Sequence, residues 1–328
     1  MIAKIENILN ESKASIYIAD GLENPIDNPL LHRHFNNEGE SCLIPFNFTS
    51  DINKASLILV PSDIWNWRNN KEYISFLKNL SLKKPLLITN STDFYTKRPI
   101  QNAIYLRYAL NPGENAPNTI VVPYPIKPIY AARSITPDFS ISFSGYVPDR
   151  FIGRFFRAAK NSPLHPIKGN GSIVRKLMIY KMKNTNLELR LKILSNYSGH
   201  YFRFAKLNSN LYNSFVESIT RSRYVLCPRG DSNQSQRFFE VLSAGRIPIM
   251  INSDIVMPKN KLLDLNRVFV NLNISESTKV WERKIRQFNQ TIHSDEKFME
   301  ISKKIVHIYE NELSYFTFIS RIFKNYLQ

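Results

Sequence analysis

Short apolar runs closed by turn-forming residues alternate along the chain with longer stretches in which apolar positions recur at helical spacing. A first set of runs covers residues 15–19, 56–60, 85–89, 104–106 and 119–122, and a second covers 139–143, 224–227, 247–251 and 268–270. A strand buried on both faces loses the alternation of polar and apolar side chains, so these runs predict buried parallel strands. Between them, residues 65–80 and 212–221 carry helical spacing. Strand and helix repeated in this way predict an α/β chain with two Rossmann-like, doubly wound sheets.

The two sets are separated by residues 123–137, which contain Pro123, Pro125, Pro128 and Pro137. That segment is the natural joint between two units. The expected division is an N-terminal unit over 1–125, a C-terminal unit over 126–295, and a helix over 296–328 that packs back on the first unit. Helical spacing at the tail begins near Ser294, with Ile305, Ile308, Tyr309, Leu313 and Phe316 as its apolar positions. Phe318, Ile319, Ile322 and Phe323 beside Lys324 also suit a membrane-surface helix.

Charge adds a constraint on partners. The 328 residues include 44 Lys and Arg against 27 Asp and Glu, a formal charge of +17. That balance calls for an acidic partner: nucleic acid, an anionic membrane surface or a phosphorylated small molecule. The basic residues are scattered or paired, as at Arg175-Lys176 and Lys303-Lys304, which argues against a nucleic-acid-binding tail. Residues 1–10 include Lys4 and Glu6 and do not resemble a signal peptide. No apolar stretch approaches the roughly 18 residues that span a bilayer. Cys42 and Cys227 have no neighbours at metal-ligand spacing, and both read as small buried hydrophobes. The composition fits a cytoplasmic protein, with peripheral attachment to the inner face of the plasma membrane left open by the charge.

The chemistry concentrates between Tyr224 and Ile251. A strand ends at Cys227-Pro228 and turns through Arg229-Gly230 into a polar loop, and a helix follows that Ser235 can cap. Gly245 stops the helix, and a second buried strand begins. A strand-loop-helix crossover aims backbone N–H groups at the crevice above the sheet, where they favour an anion such as a diphosphate. Arg237 lies in the first helical turn, and Glu240 follows on the same face, placed to accept hydrogen bonds from ribose hydroxyls. The bland alternative for this pair is an ordinary surface ion pair.

This segment resembles the signature of the exostosin family of glycosyltransferases. Residues 224–230, Ser235, Arg237, Glu240, Leu242, Gly245 and Pro248 fill that family's pattern at its spacing, with Val241 in place of the usual Ala and Ile249 in place of the usual Val. Weaker similarity extends to Ile16-Tyr17-Ile18-Ala19-Asp20, to residues 51–61, to 118–123, and to the entry into the second unit at Ser142 and Gly145. The chain has Leu82-Lys83-Lys84-Pro85 where the family carries a G-x-D-H motif.

The resemblance implies a GT-B fold, with two Rossmann-like domains facing across a cleft. It also implies inverting transfer of a sugar from a nucleotide-sugar donor, commonly UDP-linked, to a hydroxyl of a glycan or lipid-linked glycan. The expected pathway is surface polysaccharide biosynthesis. The donor-binding candidates are Gly145, Arg154, Arg229, Gly230, Ser235, Arg237 and Glu240, with Arg150 as a further cation. The base should come from the N-terminal unit, where Asp20, Asp93 and His34 are candidates and Glu23 and His32 lie nearby. No Asp-x-Asp occurs, so no metal and no cofactor are expected, and Arg side chains with the helix N-terminus would meet the departing diphosphate. Two alternatives remain: a nucleotide-sugar epimerase on the same scaffold, and a basic nucleic-acid-binding protein.

Overall fold

A computed structural model describes residues 15–18, 36–37, 40–41, 47–62, 71–90, 100–147, 156, 167–194, 209–230, 232–258, 268–315 and 317–319. A small antiparallel pair joins β2 (Asn36–Asn37) to β3 (Glu40–Ser41). The remaining strands form two separate sheets, and every pairing in both is parallel. The first sheet holds β1 (Ser15–Ile18), β4 (Asn47–Phe48), β5 (Leu57–Ser62), β6 (Leu86–Asn90), β7 (Ala103–Arg107) and β8 (Thr119–Val121). Their order is β4-β1-β5-β6-β7-β8. The second holds β9 (Asp138–Tyr146), β10 (Leu189–Leu194), β11 (Ser222–Cys227), β12 (Ile247–Asn252) and β13 (Val270–Asn273), ordered β10-β9-β11-β12-β13. Two parallel sheets alternating with helices give the α/β architecture, with two doubly wound sheets, expected from the sequence.

The apolar runs explain these strands. Ile58, Val60, Leu86 and Ile88 are buried, and Leu77 and Leu80 of helix α1 (Lys71–Lys83) pack against them. The second core is larger. It joins Phe143, Tyr224, Leu226, Ile249 and Ile251 from the strands to Phe238 and Leu242 of the helix after β11. Fully burying one such side chain contributes about 1.5–3 kcal/mol, so these runs hold the strands inside.

Helix α2 (Gly171–Lys183) lies between β9 and β10, α3 (Ser209–Thr220) between β10 and β11, and α4 (Gln236–Ser243) between β11 and β12. Helices α5 (Thr278–Gln290) and α6 (Asp295–Ile308) follow β13. Asn170 caps α2 by accepting from the backbone N–H of Ser172 and Ile173; Ser277 caps α5 and Ser294 caps α6.

Several elements depart from the sequence expectation. β10 escaped it because Leu189, Leu191 and Ile193 alternate with Arg190 and Lys192, the pattern of a half-covered edge strand rather than an apolar run. The last strand lies at 270–273 instead of 268–270, because Val270 is the residue in register with Ile249. The tail is not one helix. α6 ends in a π-helical turn, Tyr309–Leu313, and Ser314 is extended, with its hydroxyl accepting from the Thr317 N–H. Tyr315 beyond it is buried, its ring 6.2 Å from that of Tyr108 at the end of the first sheet. Phe316, Ile322, Phe323 and Lys324 lie outside the described residues, as do Cys42 and the start of the predicted 65–80 helix.

The Pro-rich segment between the sheets is fastened to the second one. Ile129 N–H donates to Ser243 Oγ at 3.0 Å, and Arg133 Nε donates to the Ser243 carbonyl at 2.9 Å. Buried Arg246 donates to the carbonyls of Ala132, Ile135 and Thr220 at 2.7–2.8 Å. Tyr124 stacks on Tyr108, ring centroids 4.6 Å apart, and its hydroxyl donates to Ser232 Oγ at 2.6 Å. One side chain therefore reaches from the first sheet to the loop before α4.

Candidate functional site

In the second sheet the strand order reverses at β9, which pairs with β10 on one side and β11 on the other. Crevices beyond the carboxyl ends of strands at such a reversal are where open α/β sheets bind ligands. The ends that meet there are Ser144, Gly145 and Tyr146 of β9, and Cys227 with the Pro228-Arg229-Gly230 turn after β11.

Arg175, on α2, bridges the two ends. Its Nη1 donates to the Tyr146 carbonyl at 3.2 Å and its Nε to the Arg229 carbonyl at 3.1 Å. The helix can come this close only because Gly171 begins it: a Cβ there would stand 1.8 Å from the Gly230 carbonyl oxygen. Neither residue was singled out from the sequence as a site residue. The Gly169-Asn170-Gly171-Ser172 run ahead of a helical pattern was the available signal.

Arg229 is fully buried. Its Nη1 donates to the Lys168 carbonyl at 2.5 Å and to Asn233 Oδ1 at 3.1 Å. Asn233 in turn donates to the Asp254 carbonyl at 2.9 Å and accepts from Ser253 Oγ at 2.8 Å, while Lys168 and Asp254 form an ion pair at 2.8 Å. This closed network ties the lead-in of α2, the 229–230 turn, the loop before α4 and the end of β12 into one rim. Arg229 is placed as the member that holds the rim together.

Helix α4 starts at the rim. Ser235 sits at its N-cap position with φ −100° and ψ 116°, but its hydroxyl makes no capping hydrogen bond. The expectation that Ser235 caps the helix is therefore corrected: the positive end of α4 is left without a side-chain cap. Arg237, in the first turn, donates to the Ser144 carbonyl at 2.6 Å and lies over the rings of Phe143 (4.7 Å) and Phe215 (5.3 Å). Its Nε is buried without a hydrogen-bond partner. Gly145 makes room for it, since a Cβ there would meet Arg237 Nη2 at 2.9 Å. Burial lowers the guanidinium to about 10, which leaves it charged at neutral pH.

Glu240, one turn further, is 5% exposed and accepts from Gln236 Nε2 at 3.0 Å. Burial pushes its carboxyl up to about 7, against the charge of Arg237 and the Gln236 hydrogen bond, which pull it down. No ion pair joins Glu240 to Arg237 among the described residues, so the two do not form the surface ion pair that was the bland alternative. Buried Cys227, a free thiol, is pushed up by burial and stays neutral, in keeping with its reading as a small hydrophobe. Beside Asn233, Gln234 is 3% exposed, and neither amide atom of its side chain has a hydrogen-bond partner among the described residues.

The structure thus brings together Gly145, Arg229, Gly230, Ser235, Arg237 and Glu240, and adds Arg175, Gly171, Asn233 and Gln234. Asp20, Glu23, His32, His34, Asp93, Arg150 and Arg154 lie outside the described residues. Among the described residues, no group of three or more His, Cys, Asp or Glu side chains could hold a metal ion, and no helix is long and apolar enough to cross a membrane. A shallow cavity of about 590 Å³, lined by Thr136, Asp138, Asn213, Glu217 and Arg221, opens at the other end of β9. It lies away from the strand ends where ligands of such sheets sit.

Comparison with known proteins bears on residues 126–284, which match the Exostosin GT47 domain. No curated protein matches the chain by sequence. Among solved structures, the apo form of the lipopolysaccharide outer core galactosyltransferase WaaB is similar over 96% of this chain and 99% of its own, with 11% identity and a TM-score of 0.45. TarM is similar over 84% of this chain with 8% identity and a TM-score of 0.43, and the chain spans 55% of TarM's length.

Proposed function

We propose that this site, within the residues 126–284 that match the Exostosin GT47 domain, binds a nucleoside diphosphate sugar and passes its sugar to a hydroxyl of a glycan acceptor. The observation that carries the reading is the separation of Arg237 and Glu240. A buried carboxyl with no ion-pair partner is costly, and its place one turn below an uncapped helix N-terminus supports a ligand that supplies further donors. Ribose hydroxyls donating to Glu240, and a diphosphate meeting Arg237 and the first N–H groups of α4, satisfy both at once.

The reaction that follows is a single displacement with inversion. A base takes the proton of the acceptor hydroxyl, and the oxygen forms a bond to the anomeric carbon. The bond from that carbon to the diphosphate breaks, and the charge on the departing diphosphate is stabilised by Arg237 and α4. Asp20, Asp93 and His34 are the proposed bases. UDP is the proposed nucleotide, on the strength of the resemblance alone. Arg237 and the helix take the part a divalent cation would otherwise play, so turnover is proposed to be metal-independent.

Titration of uridine and UDP into the wild type and two variants tests the site. Glu240→Ala should weaken both ligands by about 1.5–3 kcal/mol, roughly 10- to 100-fold. Arg237→Ala should weaken UDP far more than uridine. Unchanged affinities in both folded variants would move the donor site elsewhere. Interconversion of two nucleotide sugars without acceptor would favour an epimerase, and salt-sensitive duplex binding with no preference for nucleotides would favour a nucleic-acid-binding protein.

A further inference from the structure

Gln234 stands apart from its neighbours in the loop before α4. Ser232 is bonded to Tyr124, and Asn233 is locked by Arg229, Ser253 and the Asp254 carbonyl. Gln234 is as deeply buried, at 3% exposed, yet its side-chain Nε2 and Oε1 both lack hydrogen-bond partners among the described residues. Two unmade hydrogen bonds on one buried amide carry the full desolvation cost of each group, which a leucine or methionine of similar volume would avoid. A residue that costs stability in the free protein is expected where a ligand supplies the bonds.

The position of Gln234 says which part of a ligand. It immediately precedes the N-cap residue Ser235, while Glu240 lies five residues into the helix beyond that cap, about 7.5 Å along its axis at 1.5 Å per residue. A diphosphate at the N-terminus of α4 with its ribose on Glu240 would therefore have its nucleoside toward the body of the helix. The group on the far side of the diphosphate would fall toward Gln234. That group is the transferred sugar. A neutral amide offers two N–H donors and one carbonyl acceptor, which matches adjacent sugar hydroxyls, each both donor and acceptor, and is a poor match for a phosphate.

We propose that Gln234 is a specificity-determining residue that hydrogen-bonds hydroxyls of the donor's sugar. The proposal rests on the donor site described above, with ribose at Glu240 and diphosphate at Arg237.

The test compares UDP with a panel of UDP-glucose, UDP-galactose, UDP-xylose and UDP-N-acetylglucosamine, by calorimetric titration of the wild type, Gln234→Leu and Gln234→Glu, alongside urea unfolding of each. In the wild type, one or more of the sugars should bind more tightly than UDP. Gln234→Leu should bind UDP as the wild type does and lose about tenfold in affinity for the favoured UDP-sugar, without loss of stability. Gln234→Glu keeps an acceptor but loses the donors, so it should reorder the panel rather than weaken all of it equally. A Gln234→Leu protein that is less stable than wild type and keeps the same ratio of UDP-sugar to UDP affinity would make the amide structural, satisfied by ordered water, and would overturn the proposal. No binding of UDP to the wild type would remove the donor site itself, and the proposal with it. Wild-type UDP binding with no sugar-dependent change on substitution would overturn the role of Gln234 alone.

Discussion

Glu240 titrates where cells live. Burial pushes its carboxyl to about 7, whereas in an unfolded chain a glutamate ionises near 4.3. Between those values the folded protein holds a proton that the unfolded chain has released, so stability falls as pH rises through the window and levels off above about 7. Glu240→Gln removes that penalty. It should unfold at higher urea concentration than the wild type at pH 8, by up to about 3 kcal/mol, and at the same concentration at pH 4. A constant difference across that range would mean that the carboxyl is not shifted upward. Binding should follow the opposite course. Ribose hydroxyls donate best to a carboxylate, so the affinity for uridine, which carries no titrating phosphate, should rise with pH through about 7 in the wild type and stay flat in Glu240→Gln. The positions of Arg237 and Glu240 were legible in the sequence, because one turn of helix fixes their spacing. Their separation was not, since the carbonyl that holds Arg237 belongs to Ser144, 93 residues earlier.

At the level of elements, two glycines mark where α2 and α4 meet the strand ends, and they should fail differently when given a methyl group. At Gly171 the new Cβ would strike the backbone oxygen of Gly230, which cannot turn aside without moving the helix or the turn. Gly171→Ala should therefore cost on the order of 1–3 kcal/mol or more in unfolding experiments. At Gly145 the obstacle is the far end of the Arg237 side chain, which can swing away. Gly145→Ala should cost less than about 1 kcal/mol in stability while lowering UDP affinity about tenfold through the displaced guanidinium. Equal effects of the two variants on binding would show that Gly145 does not seat Arg237. The strand-turn-helix of β11 and α4 was legible because one continuous stretch of chain encodes it. β10 and α2 were not, because an alternating edge strand and a glycine-led helix lack the apolar run that announces a buried strand.

For the whole molecule, the +17 charge exceeds what one diphosphate site can use. Peripheral, salt-reversible attachment to anionic membranes is the proposed outlet, with each basic residue near such a surface contributing about 1 kcal/mol. Flotation with anionic liposomes should recover the protein at low salt and release it as rising salt shortens the screening length. Equal recovery with neutral liposomes would assign the charge to another purpose. The metal-independent reading makes a second claim at this scale. Turnover should survive a chelator, and restoration by added Mn²⁺ or Mg²⁺ after its loss would refute it.

The sequence by itself determined the fold class, because burial on both faces of a parallel sheet leaves a local mark in every strand that bears it. It also determined where the chemistry starts, since the turn after β11 and the first turns of α4 are contiguous in the chain. Tertiary structure decided what those residues do. Register between β9 and β11 set Arg237 on Ser144 and over Phe143, while the approach of α2 to the 229–230 turn drew Arg229 into the rim and brought Arg175 across the strand ends. Which polar groups find partners inside a protein depends on what packs against them from distant parts of the chain. That is why Gln234, an unremarked loop residue in the sequence, emerged only once its neighbours were bonded and it was not.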